Sequence, residues 1–412
     1  MRPFDGRRVL LGVTGGIASY KSVWLARLLT QAGAEVDVVM TRSATEFVGP
    51  VTFEAVTGRP VLTHLLAPGH ALDHIRLPRS AQAIVVAPAT ADFIARAAHG
   101  EAGDLLTATL LAAGPPRGLM DAPADAMPVL IVPAMNDRMW AHPATARNAA
   151  RLRELGYDVL EPESGPLASP GEGSGAGRLP EPETIMAHVG RMLEAPRLAG
   201  RTVLVTAGPT REAVDPVRFL SNHSSGKMGL AIAAAAWRRG ARVQLVLGPA
   251  SEPVPTGPLV TRIESTEEMA DAVRALLPDA DALVMAAAPA DFRAATPERR
   301  KMKKGAGLFP LELAPTTDIL AGTRDARRRD AVVVGFALET HDAVANGRAK
   351  LAAKGLDMVV LNDATEPGAG FGVDTNRVTF LTASGEEPLP LLSKAEVADA
   401  ILDRVEARLR GR

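Results

Sequence analysis

Twice along this chain a short, β-branched apolar run ends in a glycine-bearing turn and is followed by a segment of helical length. The first is Val9-Leu-Leu-Gly-Val13, then Thr14-Gly-Gly-Ile-Ala-Ser19, then a predicted helix from Tyr20 to Gln31. The second is Val203-Leu-Val205, then Thr206-Ala-Gly-Pro-Thr-Arg-Glu212 and Ser221-Asn-His-Ser-Ser-Gly-Lys-Met-Gly229, leading to an alanine-rich predicted helix from Ala231 to Trp237. Similar runs follow each opening: Glu35–Met40, Ala83–Ala87 and Val129–Val132 in the first half, and Arg242–Leu247, Ala282–Met285, Ala331–Val334 and Met358–Leu361 in the second. Short strands separated by helix-length segments need crossover connections, so each half reads as a doubly wound, parallel α/β sheet. A glycine turn between strand and helix also presents backbone N–H groups at a helix N-terminus, which suits phosphate.

At 412 residues the chain reads as two domains. The boundary falls at Ala195-Pro-Arg-Leu-Ala-Gly200, giving 1–190, a linker over 191–200, and 201–412. Glu161 to Arg178 is rich in Gly, Pro and Ser without periodicity, which predicts a lid or disorder. Gly114 to Met127 reads as an exposed loop, and Pro182 to Leu193 as a helix. Aromatic residues make up only 4%, so Ala, Val and Leu must fill the cores. A net charge of −1 gives no electrostatic case for nucleic acid or an anionic membrane. No run of apolar residues is long enough to span a bilayer, and no signal-peptide pattern opens the chain, so a cytoplasmic location is expected. The chain has no cysteine, which excludes disulfides, thiolate metal sites and cysteine nucleophiles.

Gly226-Lys227 suggests a P-loop, but that motif requires Gly at 221 and Ser or Thr at 228, where Ser221 and Met228 stand. The stretch Gly12-Val-Thr-Gly-Gly16 is not the dinucleotide fingerprint either, because Thr14 occupies its second glycine position. It is either a phosphate-binding turn or a tight structural one. Three polar turns follow strands at one sheet edge: Thr41-Arg-Ser-Ala44, Pro88-Ala-Thr-Ala-Asp92 and Pro133-Ala-Met-Asn-Asp-Arg-Met-Trp140. Together they predict a shared ligand beyond the carboxyl ends of the strands. Asn136 suits a carboxylate or amide, or else caps a helix. His74 has a side chain fit for proton transfer near neutrality, or is structural. In the second half Asp291 follows the strand at Ala282–Met285, and the run Arg299-Arg-Lys-Met-Lys-Lys304 is either a solvated face or a partner for phosphates. Lys350 and Lys354 share a helix face.

In order, and over nearly the whole chain, these motifs resemble the bacterial bifunctional family of coenzyme A biosynthesis, a fused phosphopantothenoylcysteine decarboxylase and phosphopantothenate–cysteine ligase. Gly-Val-Thr-Gly-Gly-Ile-Ala, Ala-Pro-Ala-Thr-Ala-Asp and Pro-Ala-Met-Asn-x-x-Met-Trp look like its decarboxylase half. Thr-Ala-Gly-Pro-Thr-Arg-Glu, Ser-Asn-His-Ser-Ser-Gly-Lys-Met-Gly and Gly335-Phe-Ala-Leu-Glu-Thr340 look like its ligase half. The resemblance implies two Rossmann-like domains, a flavodoxin-like flavoprotein domain followed by a ligase domain. It implies that the ligase half activates 4′-phosphopantothenate with CTP to an acyl-cytidylate, which cysteine captures as an amide. Asn222 would contact the acyl intermediate and Lys301 would serve activation. CTP would meet Ala286, Ala287, Asp291, Lys301, the turn Thr317-Asp318-Ile319-Leu320, Phe336, Lys350 and Lys354, with Mg2+ accompanying the triphosphate. Thr317 departs from the proline found there in many members.

For the N-terminal half the resemblance implies FMN, bound by Gly15, Gly16, Ser43, Pro88, Ala89, Thr90 and Asp92. The flavin would oxidise the cysteinyl thiol so that carbon dioxide leaves readily. His74 matches the family's active-site histidine, and Asn136 the asparagine that contacts the substrate carboxylate. The family's mobile loop supplies a cysteine as proton donor; here Ser169 stands in its place, and a hydroxyl is far less acidic than a thiol. Glu172 or a water would then have to assist. The resemblance further implies a homo-oligomer with trimeric decarboxylase and dimeric ligase contacts. Two other readings stay open: an active ligase with an impaired or structural flavin domain, favoured by the missing cysteine, and a flavin- or nucleotide-binding regulator, against which Lys301, Lys350 and Lys354 argue.

Overall fold

A computed structural model describes residues 4–66, 68–123, 126–166, 173–303, 310–339, 341–363 and 372–412. The chain divides into two compact units, Met1–Glu194 and Ala195–Arg412.

In the first unit six strands form one parallel sheet, in the spatial order Val61–Leu62, Glu35–Met40, Arg8–Val13, Ala83–Ala89, Val129–Pro133, Asp158–Val159. Numbered along the chain this is 3-2-1-4-5-6, the doubly wound order whose direction of winding reverses between the first and fourth strands. Burial on both faces explains the continuous apolar runs, and every residue of Ala83–Ala89 is buried. The two-residue alternation then divides each strand between two cores. Val9, Leu11 and Val13 pack with Leu25 and Leu29 of helix Ser19–Gln31 and Ile185 and Val189 of helix Pro182–Leu193. Leu10, Ile84 and Val86 face the other way, toward Phe93, Ile94, Leu105 and Leu106.

The second unit repeats the plan with eight strands: Leu259–Arg262, Arg242–Leu247, Thr202–Ala207, Ala282–Met285, Val332–Glu339, Met358–Asp363, Val378–Thr382 and Gly385–Pro388. The last two run antiparallel at one edge. The winding again reverses between Thr202–Ala207 and Ala282–Met285.

Two local expectations change. The turn after Thr202–Ala207 does not lead directly into a helix; an antiparallel ribbon, Arg211–Ala213 with Phe219–Ser221, comes first, and the helix spans Lys227–Arg238. The stretch from Glu161 to Arg178 is not wholly irregular, because Glu163–Pro166 pairs with Ser174–Arg178 and satisfies its backbone groups there. Glycines make that hairpin possible: a Cβ on Gly177 would lie 2.2 Å from the Met135 carbonyl oxygen. Gly229 plays the same part in the second unit, where a Cβ would fall 2.5 Å from that of Ala207, so only glycine lets helix Lys227–Arg238 sit against its strand.

One buried charge cluster fastens the C-terminal helix, Lys394–Arg410. The Arg239 guanidinium, 2% exposed, meets Asp399 at 3.0 Å, Asp403 at 2.8 Å and buried Glu406 at 2.7 Å. Removing Arg239 leaves buried Glu406 with only the more distant Arg197, at 3.4 Å, and Arg410, at 3.9 Å. Arg239→Ala should therefore lower the stability of this unit by about 3–5 kcal/mol, read as a lower urea midpoint at unchanged slope.

Candidate active sites

Both reversal points open into cavities at the carboxyl ends of the strands. In the first unit the turn Thr14–Ala18 is pinned from several sides. The Thr14 hydroxyl donates to the Pro88 carbonyl at 2.8 Å and accepts from the Thr90 N–H at 3.0 Å, tying together the turns after the first and fourth strands. Ser19 Oγ donates to the carbonyls of Thr14 and Gly16, and Ser22 Oγ donates to that of Ala87. The result is a cavity of about 390 Å³ lined by Gly15, Gly16, Tyr20, Lys21, Pro88, Thr90, Asn136 and Arg178, with Ile17, Ala91, Met135 and Met139 as apolar wall. Apolar walls beside a glycine turn at the start of a 13-residue helix fit a flat ring system that carries a phosphate.

Of the residues expected around this cavity, Gly15, Gly16, Pro88, Thr90 and Asn136 line it. Asn136 is also a helix cap, its Oδ1 accepting from the Arg138 N–H at 2.9 Å. Ser43 does not line the cavity. It lies against the turn, so close that a Cβ on Gly15 would come within 2.4 Å of the Ser43 Cβ. Ala89 is fully buried in its strand, and the Asp92 carboxylate pairs with Arg96 at 2.8 Å. His74 stands on helix Asp73–Ser80, outside the cavity wall, with a buried Nδ1 that has no hydrogen-bond partner. Ser169 and Glu172 lie outside the described residues. Sequence reasoning missed Lys21, whose ammonium donates to Glu181 at 2.9 Å and to the Leu179 carbonyl at 3.3 Å. The hydrogen bond from Lys21, with Arg178 nearby, holds the Glu181 carboxyl below its ordinary range.

The second unit has two adjoining cavities of about 500 and 310 Å³ that share Ala287, Pro289, Asp291, Phe336 and Lys350. Asn222 arrives from the end of the ribbon and donates to the Pro289 carbonyl at 2.9 Å, so its amide is held across the reversal point. Ala286, Ala287 and Asp291 follow the strand at Ala282–Met285, while Thr317, Asp318, Ile319 and Leu320 form the far wall. Lys350 and Lys354 project from helix Ala343–Lys354. Lys350 donates to the Phe336 carbonyl at 2.7 Å, and burial pushes its ammonium pKa below the ordinary lysine value. Burial alone would push the Asp318 carboxyl up; the hydrogen bond from Lys354 and the cap to Ala321 outweigh it and hold it low.

The structure thus brings together every residue expected at the nucleotide except Lys301. That lysine is exposed, outside both cavities, close to a stretch at 304–309 beyond the described residues. Asn362, Asn376 and Lys394 also line the larger cavity and were not anticipated. Asn362 was findable as a polar residue directly following the strand expected at Met358–Leu361; the other two had no signal in the sequence. Among the described residues no group of three or more His, Cys, Asp or Glu side chains could hold a metal ion, and no helix is long and apolar enough to cross a membrane.

Fold and cavities together define a two-unit α/β enzyme with a flavin-type site in one half and a nucleotide-type site in the other. Residues 2–194 match the Flavoprotein family, and residues 198–409 the DNA/pantothenate metabolism flavoprotein C-terminal domain. The chain is 46% identical over 422 residues to the coenzyme A biosynthesis bifunctional protein CoaBC of Mycobacterium tuberculosis, covering 98% of this chain and 97% of the relative. It is 44% identical over 411 residues to the protein of that name from Bacillus subtilis (98% and 97% covered), and 42% identical over 410 residues to that from Vibrio vulnificus (98% and 99%). Among solved structures it is similar to the C-terminal domain of a coenzyme A biosynthesis bifunctional protein, at 36% identity and TM-score 0.46 over 53% of this chain and 100% of that one. It is also similar to the FMN-dependent cysteine decarboxylase SpaF, at 34% identity and TM-score 0.36 over 45% and 95%. The chain belongs to the family of bifunctional coenzyme A biosynthesis proteins.

Lys350 supplies a directly checkable consequence. Replacing it with Met should weaken nucleoside triphosphate binding about tenfold or more, the worth of one charge-assisted hydrogen bond. Its lowered pKa means the ammonium deprotonates as pH rises, before an exposed lysine would. Triphosphate affinity, measured calorimetrically from pH 7 to 10, should therefore fall with rising pH, and Lys350→Arg should flatten that fall.

Proposed function

We propose that the C-terminal unit joins 4′-phosphopantothenate to cysteine at the expense of CTP, and that the N-terminal unit decarboxylates the resulting 4′-phosphopantothenoylcysteine with FMN bound. The observation that carries this reading is the convergence of Asn222, Asp291, Phe336, Lys350 and Lys354 on one cleft at the reversal point.

In the ligase, a substrate carboxylate oxygen attacks the α-phosphorus of CTP and pyrophosphate leaves. The cysteine amine then attacks the acyl carbon, forming the amide as CMP departs and the amine loses a proton. Lys350 and Lys354 sit where they can balance the charge that builds on the phosphates, and the Asn222 amide can hold the acyl group while cysteine enters. Lys301 serves activation if its segment reaches the cleft. Mg2+ would be held mainly by phosphate oxygens with help from Asp291.

In the decarboxylase, a bound flavin supplies a reversible two-electron acceptor for the cysteinyl thiol. The glycine turn at Gly15–Gly16 and the Thr90 wall would hold it. The Asn136 amide faces the same cavity and can donate to the substrate carboxylate, fixing the bond that breaks. His74 does not reach this cavity within one chain, so a role for it there requires a second copy. That need supports a homo-oligomeric enzyme; trimeric decarboxylase and dimeric ligase contacts are what the family resemblance adds. Ser169, or Glu172 acting in its stead, would deliver the proton that a thiol delivers elsewhere in the family. A match to relatives across both halves does not favour a flavin domain kept for structure alone. The small-molecule substrates suit a cytoplasmic enzyme.

Two measurements test this reading. Asn222→Asp should leave CTP-dependent pyrophosphate release within about threefold of the wild type and slow amide formation by about 10²-fold, the usual size of a lost transition-state donor; unchanged amide formation removes Asn222 from the mechanism. Mass analysis of products from synthetic 4′-phosphopantothenoylcysteine tests the second half: Ser169→Cys should speed 4′-phosphopantetheine formation, whereas indifference to both Ser169→Cys and Ser169→Ala would place the proton donor elsewhere.

A further inference from the structure

The ligation chemistry leaves one motif of the second unit without a task, the run from Thr206 to Glu212. Its Thr210 and Glu212 side chains are buried, as is Thr266 at the start of helix Thr266–Leu276. Glu212 Oε1 accepts from both the N–H and the hydroxyl of Thr266, each at 2.8 Å. The Thr266 hydroxyl lies 2.9 Å from that of Thr210, and Thr210 Oγ1 accepts the Ala290 N–H at 2.9 Å. Groups from three separate stretches of the chain thus form one continuous series of buried hydrogen bonds.

Each hydroxyl has a single proton, and this fixes the direction of the series. A carboxylate only accepts, so the Thr266 proton points to Glu212. Thr266 Oγ1 must then accept the Thr210 proton, which leaves Thr210 Oγ1 turned to accept from the Ala290 amide, a group that can only donate. Reversing either hydroxyl would set proton against proton or lone pair against lone pair, away from water. Thr266 also lies 3.4 Å from the Ala290 carbonyl, but the Thr316 hydroxyl serves that oxygen at 2.5 Å. The peptides on both sides of Ala290 are therefore held. The one before it presents the Pro289 carbonyl to which Asn222 donates, and the one after it leads to Asp291 on the wall of both cavities. Thr210 steadies Asn222 from the other side too, since its carbonyl accepts the hydroxyl of the adjacent Ser221 at 2.7 Å.

We propose that Glu212 is a positioning residue of the ligase: as the fixed acceptor at the end of this series it orders Thr266 and Thr210, and through them the Pro289–Ala290 peptide that holds Asn222. The proposal deepens the ligase reading and rests on it for the role of Asn222. None of Glu212, Thr266 and Thr210 lines either cavity, so they act only through the groups they hold. Hydrogen bonds in series polarise one another, and a peptide whose N–H is firmly held offers a better carbonyl acceptor. The Asn222 side chain is exposed, and fixing it in one pose costs rotamer freedom. A rigid acceptor at Pro289 offsets that cost before the acyl group arrives.

The test uses the full chain and Thr266→Val, which keeps the shape of threonine but can neither donate to Glu212 nor accept from Thr210. Amide formation should fall about tenfold or more, and Thr266→Ser, which restores the hydroxyl, should bring it back to within about threefold of the wild type. The same substitution is then made in the Asn222→Asp background. If the series acts through Asn222, little is left to lose there, and Thr266→Val should slow Asn222→Asp by less than about twofold. A merely structural role predicts the full effect again in that background, and that result overturns the proposal. So does a Thr266→Val enzyme with wild-type amide formation, or one that Thr266→Ser fails to restore. Should Thr266→Val not fold, Thr266→Ala, which removes the same hydroxyl, and Glu212→Gln, which keeps the shape and takes away the charge, decide by the same cycle. Failure of the ligase reading is seen separately, as a wild-type chain that forms no amide from CTP, 4′-phosphopantothenate and cysteine. Hydrogen exchange at the Ala290 amide then reads the series: it must quicken about fivefold or more in Thr266→Val and return to the wild-type rate in Thr266→Ser.

Discussion

Everything functional in this chain depends on the parallel pairing of strands about a reversal of winding. Parallel strands place all their carboxyl ends at one edge, and crossover helices that leave on opposite faces from neighbouring strands open a crevice between their first turns. Here that happens between Arg8–Val13 and Ala83–Ala89, and again between Thr202–Ala207 and Ala282–Met285. Neither crevice needs a special insertion to exist. What the sequence adds is the set of groups that cross it: Thr14 joining Pro88 to Thr90 in the first unit, and Asn222 reaching Pro289 in the second.

Close approach is the second requirement, and glycine meets it. Gly15 lets Ser43 pack against the turn, and Gly229 lets its helix rest directly on the strand that precedes the site. A methyl group at either position would push the helix start away from the crevice. The backbone N–H groups at the helix start would move with it, so these glycines shape the crevice as much as the fold.

The two halves handle charge differently. The first has a cavity with apolar walls and one lysine, Lys21, whose charge is answered by Glu181. The second gathers four lysines around its cleft: Lys227 and Lys354 pair with carboxylates, while Lys350 and Lys394, partly stripped of water, donate to backbone carbonyls. Desolvation raises the worth of each contact such an ammonium makes with a phosphate, and weakens the ammonium itself as pH rises. A ring system suits the first arrangement, and an anionic ligand the second.

By itself the sequence determined the architecture and most of the walls of both sites. Continuous apolar runs, glycine turns and helix-length spacers are local signals, and they sufficed for the sheets at Arg8–Val13 and Thr202–Ala207; the cluster of Asp291, Phe336, Lys350 and Lys354 came instead from the resemblance of the motifs to a known family. Short edge strands such as Val61–Leu62 and the antiparallel Gly385–Pro388 escaped, because their pairing is fixed by neighbours and not by their own composition. Only the tertiary structure decided which side of a turn each polar residue faces. It set Ser43 against the turn, Ala89 inside its strand and His74 off the cavity, and it brought Lys394 and Asn376 from the end of the chain to the wall of the cleft. Residues so far apart in the chain meet only because the strands between them wind in order across the sheet, and no local pattern records that.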